Sequence, residues 1–334
     1  MKKIKALALL SGGLDSILAT KLLLNQGIEV EAINFTSPFC LCGKGGCGAH
    51  KFADELNIPL KTIRVGNEYL KMLRNPKHSY GKNFNPCIDC RIFMFKRAKN
   101  YAKEIGASFI FTGEVLGERP MSQHKNAMYL IEQEAGLKGR ILRPLSAKLL
   151  PETPMETEGL VDRSKLLAIT GRSRKPQIKL AKELEIFQYP CPSGGCLLTY
   201  KEFAAKVRDL FNHKKRVVES DIALLKIGRH FRFGLNKIVV GRNHKENQSL
   251  LRSKKTPDYY FEVPDFAGPI TILQGRKTKK SIEAAAGLTA YYSDNTNPTV
   301  IVNYGKKKLD KAIYVIKPIY SEIQKLRIYS KSSR

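Results

Sequence analysis

Eleven residues near the N-terminus, Ala6-Leu7-Ala8-Leu9-Leu10-Ser11-Gly12-Gly13-Leu14-Asp15-Ser16, restrict the fold more than any other stretch of the 334-residue chain. An apolar strand runs into a glycine turn and from there into a helix. Glycine accepts the positive-φ turn and lets backbone N–H groups approach an anion, and the N-terminus of the following helix adds positive partial charge. Such a junction suits phosphate. Ser11 and Ser16 can donate hydroxyl hydrogen bonds, and Asp15 can hold Mg2+ beside a nucleotide. A Walker A loop would need Gly-Lys-Ser/Thr, which is absent here.

Strand-like runs recur at Ala6–Leu10, Val30–Phe35, Thr62–Val65 and Phe109–Thr112, with helix-like stretches between them at Ser16–Leu24, Ala49–Leu56 and Ile92–Ile105. This alternation predicts an α/β domain with a doubly wound parallel sheet, its functional loops at the carboxyl ends of the strands. Ser37–Gly48 and Lys71–Pro86 read as such loops. Pro151–Gly159 reads as a surface loop, followed by helix-like sequence at Arg163–Ile169 and Lys175–Leu184.

The pattern changes near Tyr200. Short strand candidates follow at Lys237–Val240, Tyr259–Val263, Ile270–Leu273, Val300–Tyr304 and Ile313–Ile316, with one helix candidate at Ser281–Tyr292, predicting a smaller basic α+β domain. Of the formal charge of +28, residues 1–200 carry +12 and residues 201–334 carry +16. Charge of this size points to a polyanion, nucleic acid before membrane. No apolar run approaches the ~18 residues of a membrane span, so a cytoplasmic protein is expected.

Ser-Gly-Gly-x-Asp-Ser after an N-terminal strand resembles the PP-loop of N-type ATP pyrophosphatases, which implies an adenine nucleotide alpha hydrolase-like fold and cleavage of ATP to AMP and pyrophosphate. Asn85-Pro86-Cys87-Ile88-Asp89-Cys90 is similar to the Asn-Pro-Asp-x-x-Cys segment of tRNA 2-thiouridylases, with Cys90 on their catalytic cysteine and Cys87 in place of their aspartate. Arg91–Ala98, Phe111–Gln123 and Leu142–Leu145 resemble stretches of the 4-thiouridine-forming tRNA sulfurtransferases (ThiI type), and Ser193-Gly194-Gly195-Cys196 the loop carrying their second cysteine. That resemblance covers roughly residues 1–200. No RNA-binding region of the ThiI type precedes the loop and no rhodanese-like carrier follows, so RNA capture and sulfur delivery are expected to be arranged differently. From about Ile227 to Pro318 the chain resembles the NFACT RNA-binding domain, through Val240–Asn247, Asp258–Val263 with Gly268, and Ala284–Ser293. The expected organisation is a PP-loop ATP-binding sulfurtransferase domain over 1–200, a basic linker over 201–226, the NFACT-like domain over 227–320 and a basic tail over 321–334.

Seven cysteines, at 40, 42, 47, 87, 90, 191 and 196, form tight groups that favour metal or catalytic thiols over a disulfide framework. Sulfur insertion at a pyrimidine carbonyl needs an activated oxygen, which ATP supplies by adenylation, and a sulfur nucleophile. Two routes stay open. In one, Cys196 carries a persulfide and Cys90 resolves the disulfide that follows. In the other, Cys87, Cys90 and Cys196 resemble the three ligands of a [4Fe-4S] cluster with an open iron site, Cys191 being a fourth ligand or a neighbour. Cys40, Cys42, Cys47 and His50 could form a zinc clip. Asp89 is a candidate general acid or base, or a helix cap. Thr112, Gly113 and Glu114, at a strand end, are candidates for nucleotide or Mg2+ contact.

Basic runs at Lys214–Arg216, Arg252–Lys255, Arg276–Lys280 and Lys306–Lys308 alternate with Tyr259, Tyr260, Phe261, Tyr291, Tyr292 and Tyr304, a mixture suited to phosphates and unpaired bases. The expectation is ATP-dependent tRNA thiolation giving 4-thiouridine or 2-thiouridine, with sulfur from a cysteine desulfurase-derived persulfide or free sulfide. A PP-loop enzyme acting on a small molecule and a non-catalytic RNA- or ribosome-associated protein are the alternatives.

Overall fold

A computed structural model describes residues 4–40, 48–189 and 195–329. The chain divides into two compact units, Met1–Leu197 and Leu198–Arg334. In the first unit the elements are β1 (Lys5–Leu9), α1 (Leu14–Leu24), β2 (Glu29–Thr36), α2 (Ala49–Glu55), β3 (Leu60–Arg64), α3 (Asn67–Arg74), α4 (Cys87–Glu104), β4 (Phe109–Thr112), α5 (Lys125–Ala135), β5 (Ile141–Leu142), α6 (Pro154–Thr157) and α7 (Lys175–Glu183).

The five strands are all parallel, in the order β3-β2-β1-β4-β5. β1 is central because it is apolar on both faces, as a strand covered by helices on either side must be. Ala6 and Ala8 pack with Leu14, Ile17 and Leu18 of α1 and Phe52 of α2. Leu7 and Leu9 face Ile92 and Phe95 of α4 and Ile131 of α5. Helices on both faces make the sheet doubly wound. Ala8 pairs with Ala32 of β2 on one side and Phe111 of β4 on the other, so the chain order reverses at β1. The crevice beyond the carboxyl end of such a strand is where open α/β sheets bind ligands.

Local departures from the sequence reading have packing causes. Residues 71–74, expected in a loop, close α3, whose Tyr69, Leu70 and Leu73 bury one face. α4 begins at Cys87, a turn before its apolar stripe of Ile92, Phe95, Ala98 and Ala102. Arg163–Ile169 is helical only as a 3-10 turn at Arg163–Lys165, held by the Asp162 side chain accepting from the Ser164 N–H. The Pro151–Gly159 segment contains α6, where Thr153 and Glu156 form a capping box and Met155 is buried.

The second unit holds α8 (Lys201–His213), α9 (Glu219–Leu225), β6 (Arg229–Phe233), β7 (Asn236–Val240), α10 (His244–Ser253), β8 (Tyr259–Glu262), β9 (Thr271–Gln274), α11 (Lys279–Tyr291), β10 (Thr299–Gly305), β11 (Lys311–Ile316) and α12 (Tyr320–Leu326). Its six strands are antiparallel in the order β11-β10-β8-β9-β7-β6. α11 lays Ala285, Ala286, Leu288 and Ala290 against Phe231, Phe261, Val300 and Val302 on one face. Leu224 and Leu250 pack with Val239 and Ile272 on the other. The stretch read as a basic linker is ordered as α8 and α9, because Phe203, Val207, Leu210 and Ile222 are buried between its lysines. Ile323 of α12, read as tail, is also buried. The edges of the sheet differ. β6 is covered by a bridge from Phe231 to Arg327 and by the Ile328 N–H donating to the His230 carbonyl at 2.9 Å. β11 is the last strand on the other side and exposes Tyr314 (74%) and Ile316 (77%). Among the described residues no helix is long and apolar enough to cross a membrane.

Candidate active site

The turn after β1 has the geometry its glycines require. Gly12 sits at φ +76°, and a Cβ there would come within 2.5 Å of the Ala49 nitrogen. Gly13 is the N-cap of α1 and offers no side-chain cap, so the helix begins with open N–H groups and positive partial charge. The Ser16 hydroxyl donates to the Gly13 carbonyl at 2.8 Å, and the Ser11 and Ser16 hydroxyl oxygens lie 3.2 Å apart. From beneath, Asn34 of β2 donates to the Leu10 carbonyl at 2.7 Å and pins the end of the strand. Gly113, just past β4, presses on the same turn: a Cβ on it would fall 2.4 Å from the backbone of Asp15 and Ser16. Thr112 turns inward, its hydroxyl accepting from the Glu114 N–H at 3.2 Å.

Asp15 does not stand alone. Its Oδ2 is 2.7 Å from Arg174, and the same guanidinium also bonds Glu118. Burial pushes the Asp15 carboxyl up, with Arg174 opposing. Glu118 is likewise pushed up by burial and then by the Asp15 charge. Asp15 Oδ1 and Glu118 Oε2 are buried with no hydrogen-bond partner among the described residues. Two carboxylate oxygens wanting a donor or a cation at a phosphate loop fit Mg2+. Neither Arg174 nor Glu118 was picked out as a site residue from the sequence, although Glu118 lies inside the quoted Phe111–Gln123 segment.

A second cluster is built from sulfur. The described cysteines, Cys40, Cys87, Cys90 and Cys196, are part-buried thiols. Cys90, on the first turn of α4, accepts the Tyr69 hydroxyl at 3.3 Å. Its thiol is pushed up to about 11 by burial. Burial and then Cys90, Cys196 and Cys40 raise the Tyr69 hydroxyl well above its usual value, which locates three of the sulfurs around one phenol. The Asn85 amide donates to the Cys87 sulfur at 3.1 Å, and burial raises that thiol. Cys40 and Cys196 face each other as an isolated antiparallel bridge.

Among the described residues no three His, Cys, Asp or Glu side chains stand close enough to hold a metal ion, and Cys87, Cys90 and Cys196 are within that set. Cys40 belongs with the sulfur cluster, held by the Ser37 N–H at 3.3 Å, whereas His50 meets the Thr62 hydroxyl at 3.0 Å. Cys42, Cys47 and Cys191 lie outside the described residues.

Asp89 is engaged elsewhere. Its two oxygens accept the backbone N–H groups of Lys77 and His78 at 2.9 and 3.0 Å, stapling the loop before α4 to the helix that carries Cys90. It is therefore neither an exposed acid–base group nor a cap. Glu114 is also committed. Arg91 holds one oxygen at 2.6 Å and Arg143 the other at 3.1 Å, and Arg143 is bonded in turn to Glu132. Burial would raise Glu114, yet the two guanidiniums hold it below the usual carboxylate range. In this arrangement Glu114 fixes Arg91, the residue next to Cys90. Arg119 favours the charged forms of both Asp15 and Cys87, while Arg91 acts within the sulfur cluster, on Cys87 and Cys90.

In the second unit the aromatic residues divide. Phe261 is core and Tyr304 stacks on it at 5.4 Å. Tyr259 is half-buried against the core, with Lys277, Lys306 and Lys311 at 5.7, 5.9 and 5.8 Å from its ring centre. Lys254 stands 5.5 Å from Tyr260. Other lysines are partly neutralised: Lys214 and Lys255 share the single carboxylate of Asp221, at 2.6 and 3.1 Å.

Comparison with known proteins follows the same division. Residues 2–148 match the family described as thiamine biosynthesis protein (ThiI), and residues 228–327 match the NFACT protein RNA binding domain. A tRNA-specific 2-thiouridylase of Syntrophotalea carbinolica is 35% identical over 120 residues, which is 32% of this chain and 33% of that protein. A probable tRNA sulfurtransferase of Thermococcus kodakarensis is 28% identical over 178 residues, 52% of this chain and 43% of the relative. The chain thus spans less than half the length of either. A solved 4-thiouridine synthetase–RNA complex with bound ATP is 24% identical, covering 66% of this chain and 52% of that one, with a TM-score of 0.37 that adds nothing to the sheet order. The first unit is thus similar to the ThiI family over residues 2–148, and the second to the NFACT protein RNA binding domain over residues 228–327.

Proposed function

We propose that this chain is an ATP-dependent tRNA sulfurtransferase that forms AMP and pyrophosphate. The observation that carries the reading is an uncapped, glycine-turned helix N-terminus in the same unit as a cluster of thiols, with Arg119 acting on both Asp15 and Cys87. ATP phosphates lie against Ser11, Gly12, Gly13 and Ser16, with the backbone N–H groups of the first turn of α1 as donors. Asp15 and Glu118 would hold Mg2+, which supplies neutralising charge among the phosphates.

A uridine carbonyl oxygen attacks the α-phosphorus and pyrophosphate leaves. A persulfide carried on Cys196 attacks the activated carbon and displaces AMP, and a second thiol then frees the product. The iron–sulfur alternative would use Cys87, Cys90 and Cys196 to hold a [4Fe-4S] cluster whose open iron would supply a site for sulfide. The zinc alternative would use Cys40, Cys42, Cys47 and His50; Cys40 is held by the Ser37 N–H and His50 meets the Thr62 hydroxyl, and Cys42 and Cys47 lie outside the described residues. The second unit holds the RNA.

The test incubates the full chain with MgATP, a small alkyl persulfide and unmodified tRNA, measuring AMP and thionucleoside together. Equal yields of the two are expected, and chromatography of the nucleosides distinguishes 2- from 4-thiouridine. AMP formed without RNA would favour a small-molecule substrate. No AMP under any condition would favour a non-catalytic RNA-associated protein. Iron and labile-sulfide analysis of anaerobically purified protein, with Cys87→Ser beside it, tests the cluster.

A further inference from the structure

Resting on that reading, we propose that Cys40 is the thiol that resolves sulfur transfer from Cys196. The two residues, 156 positions apart, are directly opposite in an antiparallel bridge, and its register is fixed by the Leu197 N–H donating to the Phe39 carbonyl at 2.9 Å. A bond between the residues flanking a pair makes it the non-hydrogen-bonded kind, with Cα atoms about 4.5 Å apart and both side chains on one face. That separation lies within the roughly 4.4–6.8 Å range that a disulfide spans.

The register is anchored at both ends. Phe39 is fully buried, and its ring meets Tyr69 at 6.1 Å. The Cys40 sulfur is oriented by the Ser37 N–H at 3.3 Å and lies 3.4 Å from the Ser37 hydroxyl. Cys90 has no comparable register with Cys196. It sits on α4 with its sulfur against the Tyr69 hydroxyl.

The chemistry balances through thiol–disulfide exchange. The terminal sulfur of the Cys196 persulfide bonds to the uridine carbon, and AMP leaves with the C–O electron pair. Cys40, its proton lost to solvent, attacks Cys196 Sγ. The bond from Cys196 Sγ to the transferred sulfur breaks, its electron pair staying on that sulfur, which becomes the thiocarbonyl. A Cys40–Cys196 disulfide remains, and an added dithiol returns it to two thiols with two electrons and two protons.

The experiment is a single turnover of full-length protein loaded with a small alkyl persulfide, with MgATP and unmodified tRNA and no reductant. Thiols are then alkylated and the disulfide-linked peptides mapped by mass spectrometry. One Cys40–Cys196 link per thionucleoside is expected. Cys40→Ser should leave tRNA covalently trapped on Cys196, visible on a non-reducing gel and released by dithiothreitol, while Cys90→Ser should not trap it. Trapping is a positive signal that only a folded, adenylating protein gives. A Cys90–Cys196 link in the wild type, trapping by Cys90→Ser instead, or a thionucleoside formed with no link would each overturn the assignment. Absence of both AMP and thionucleoside in the wild type would instead refute the sulfurtransferase reading itself, and this inference with it.

Discussion

The lysines around Tyr259 give the most quantitative prediction. Lys277, Lys306 and Lys311 converge on one ring, and Lys277 is disfavoured as a cation by burial and by Lys306, with Asp258 opposing. Like charges held together in this way are relieved when phosphates occupy the space between them. Replacing all three by Gln removes their charge with little change in side-chain bulk. Each phosphate contact contributes about 0.7–0.9 to the slope of log affinity against log salt, so losing three should flatten the slope by about 2.1–2.7. Between about 50 and 200 mM salt, wild-type affinity should therefore fall roughly 20- to 40-fold further than that of the triple variant. Filter binding of labelled tRNA across that range measures it. Lys214→Gln is the control, since Lys214 is held in an ion pair with Asp221 away from the Tyr259 ring. An unchanged slope in the triple variant, or an equal change per lysine in the control, would refute the assignment of RNA to this ring.

Three further outcomes are expected. Gly113→Ala forces a carbon against the backbone of Asp15 and Ser16, where no side chain can give way, and should cost about 3 kcal/mol of stability in denaturant melts. Glu114→Gln breaks a buried double ion pair and should cost about 3–5 kcal/mol in denaturant melts at neutral pH. Because the folded pKa of Glu114 is lowered, the wild type's advantage is complete above the unfolded value of 4.5 and should shrink as pH falls through the folded one. Asp89→Asn keeps one acceptor oxygen but sets its NH2 against the other backbone N–H, so stability should fall by about 1–3 kcal/mol with no change in the pH profile of thiolation; a shifted profile would support Asp89 as an acid–base group.

Local signals were legible in the sequence, and long-range capture was not. Gly12, Gly13 and the apolar run before them announce the phosphate turn because everything that shapes it lies within a few residues. Cys87 and Cys90 could be put at a helix start for the same reason. By contrast, Arg174 reaches Asp15 across 159 positions and Arg143 reaches Glu114 across 29, and no periodicity records either. Glu114 and Asp89 look like reactive carboxylates in one dimension because their partners, two guanidiniums in one case and two backbone amides in the other, arrive only on folding. Cys40 was grouped with Cys42, Cys47 and His50 by proximity in the chain, while the fold sets it opposite Cys196. β6 was missed because Arg229-His230-Phe231-Arg232-Phe233 hides an alternating strand under basic residues, with Phe231 fully buried.

The unequal edges of the six-stranded sheet limit how this protein can self-associate. An unpaired strand edge invites another strand, and β11 offers one, whereas the Arg327 bridge and the Ile328 N–H occupy the edge of β6. Two copies joined along β11 would leave no second edge of that kind to continue from. Sheet extension would end at a closed pair rather than a fibre, because its interface uses the same surface twice.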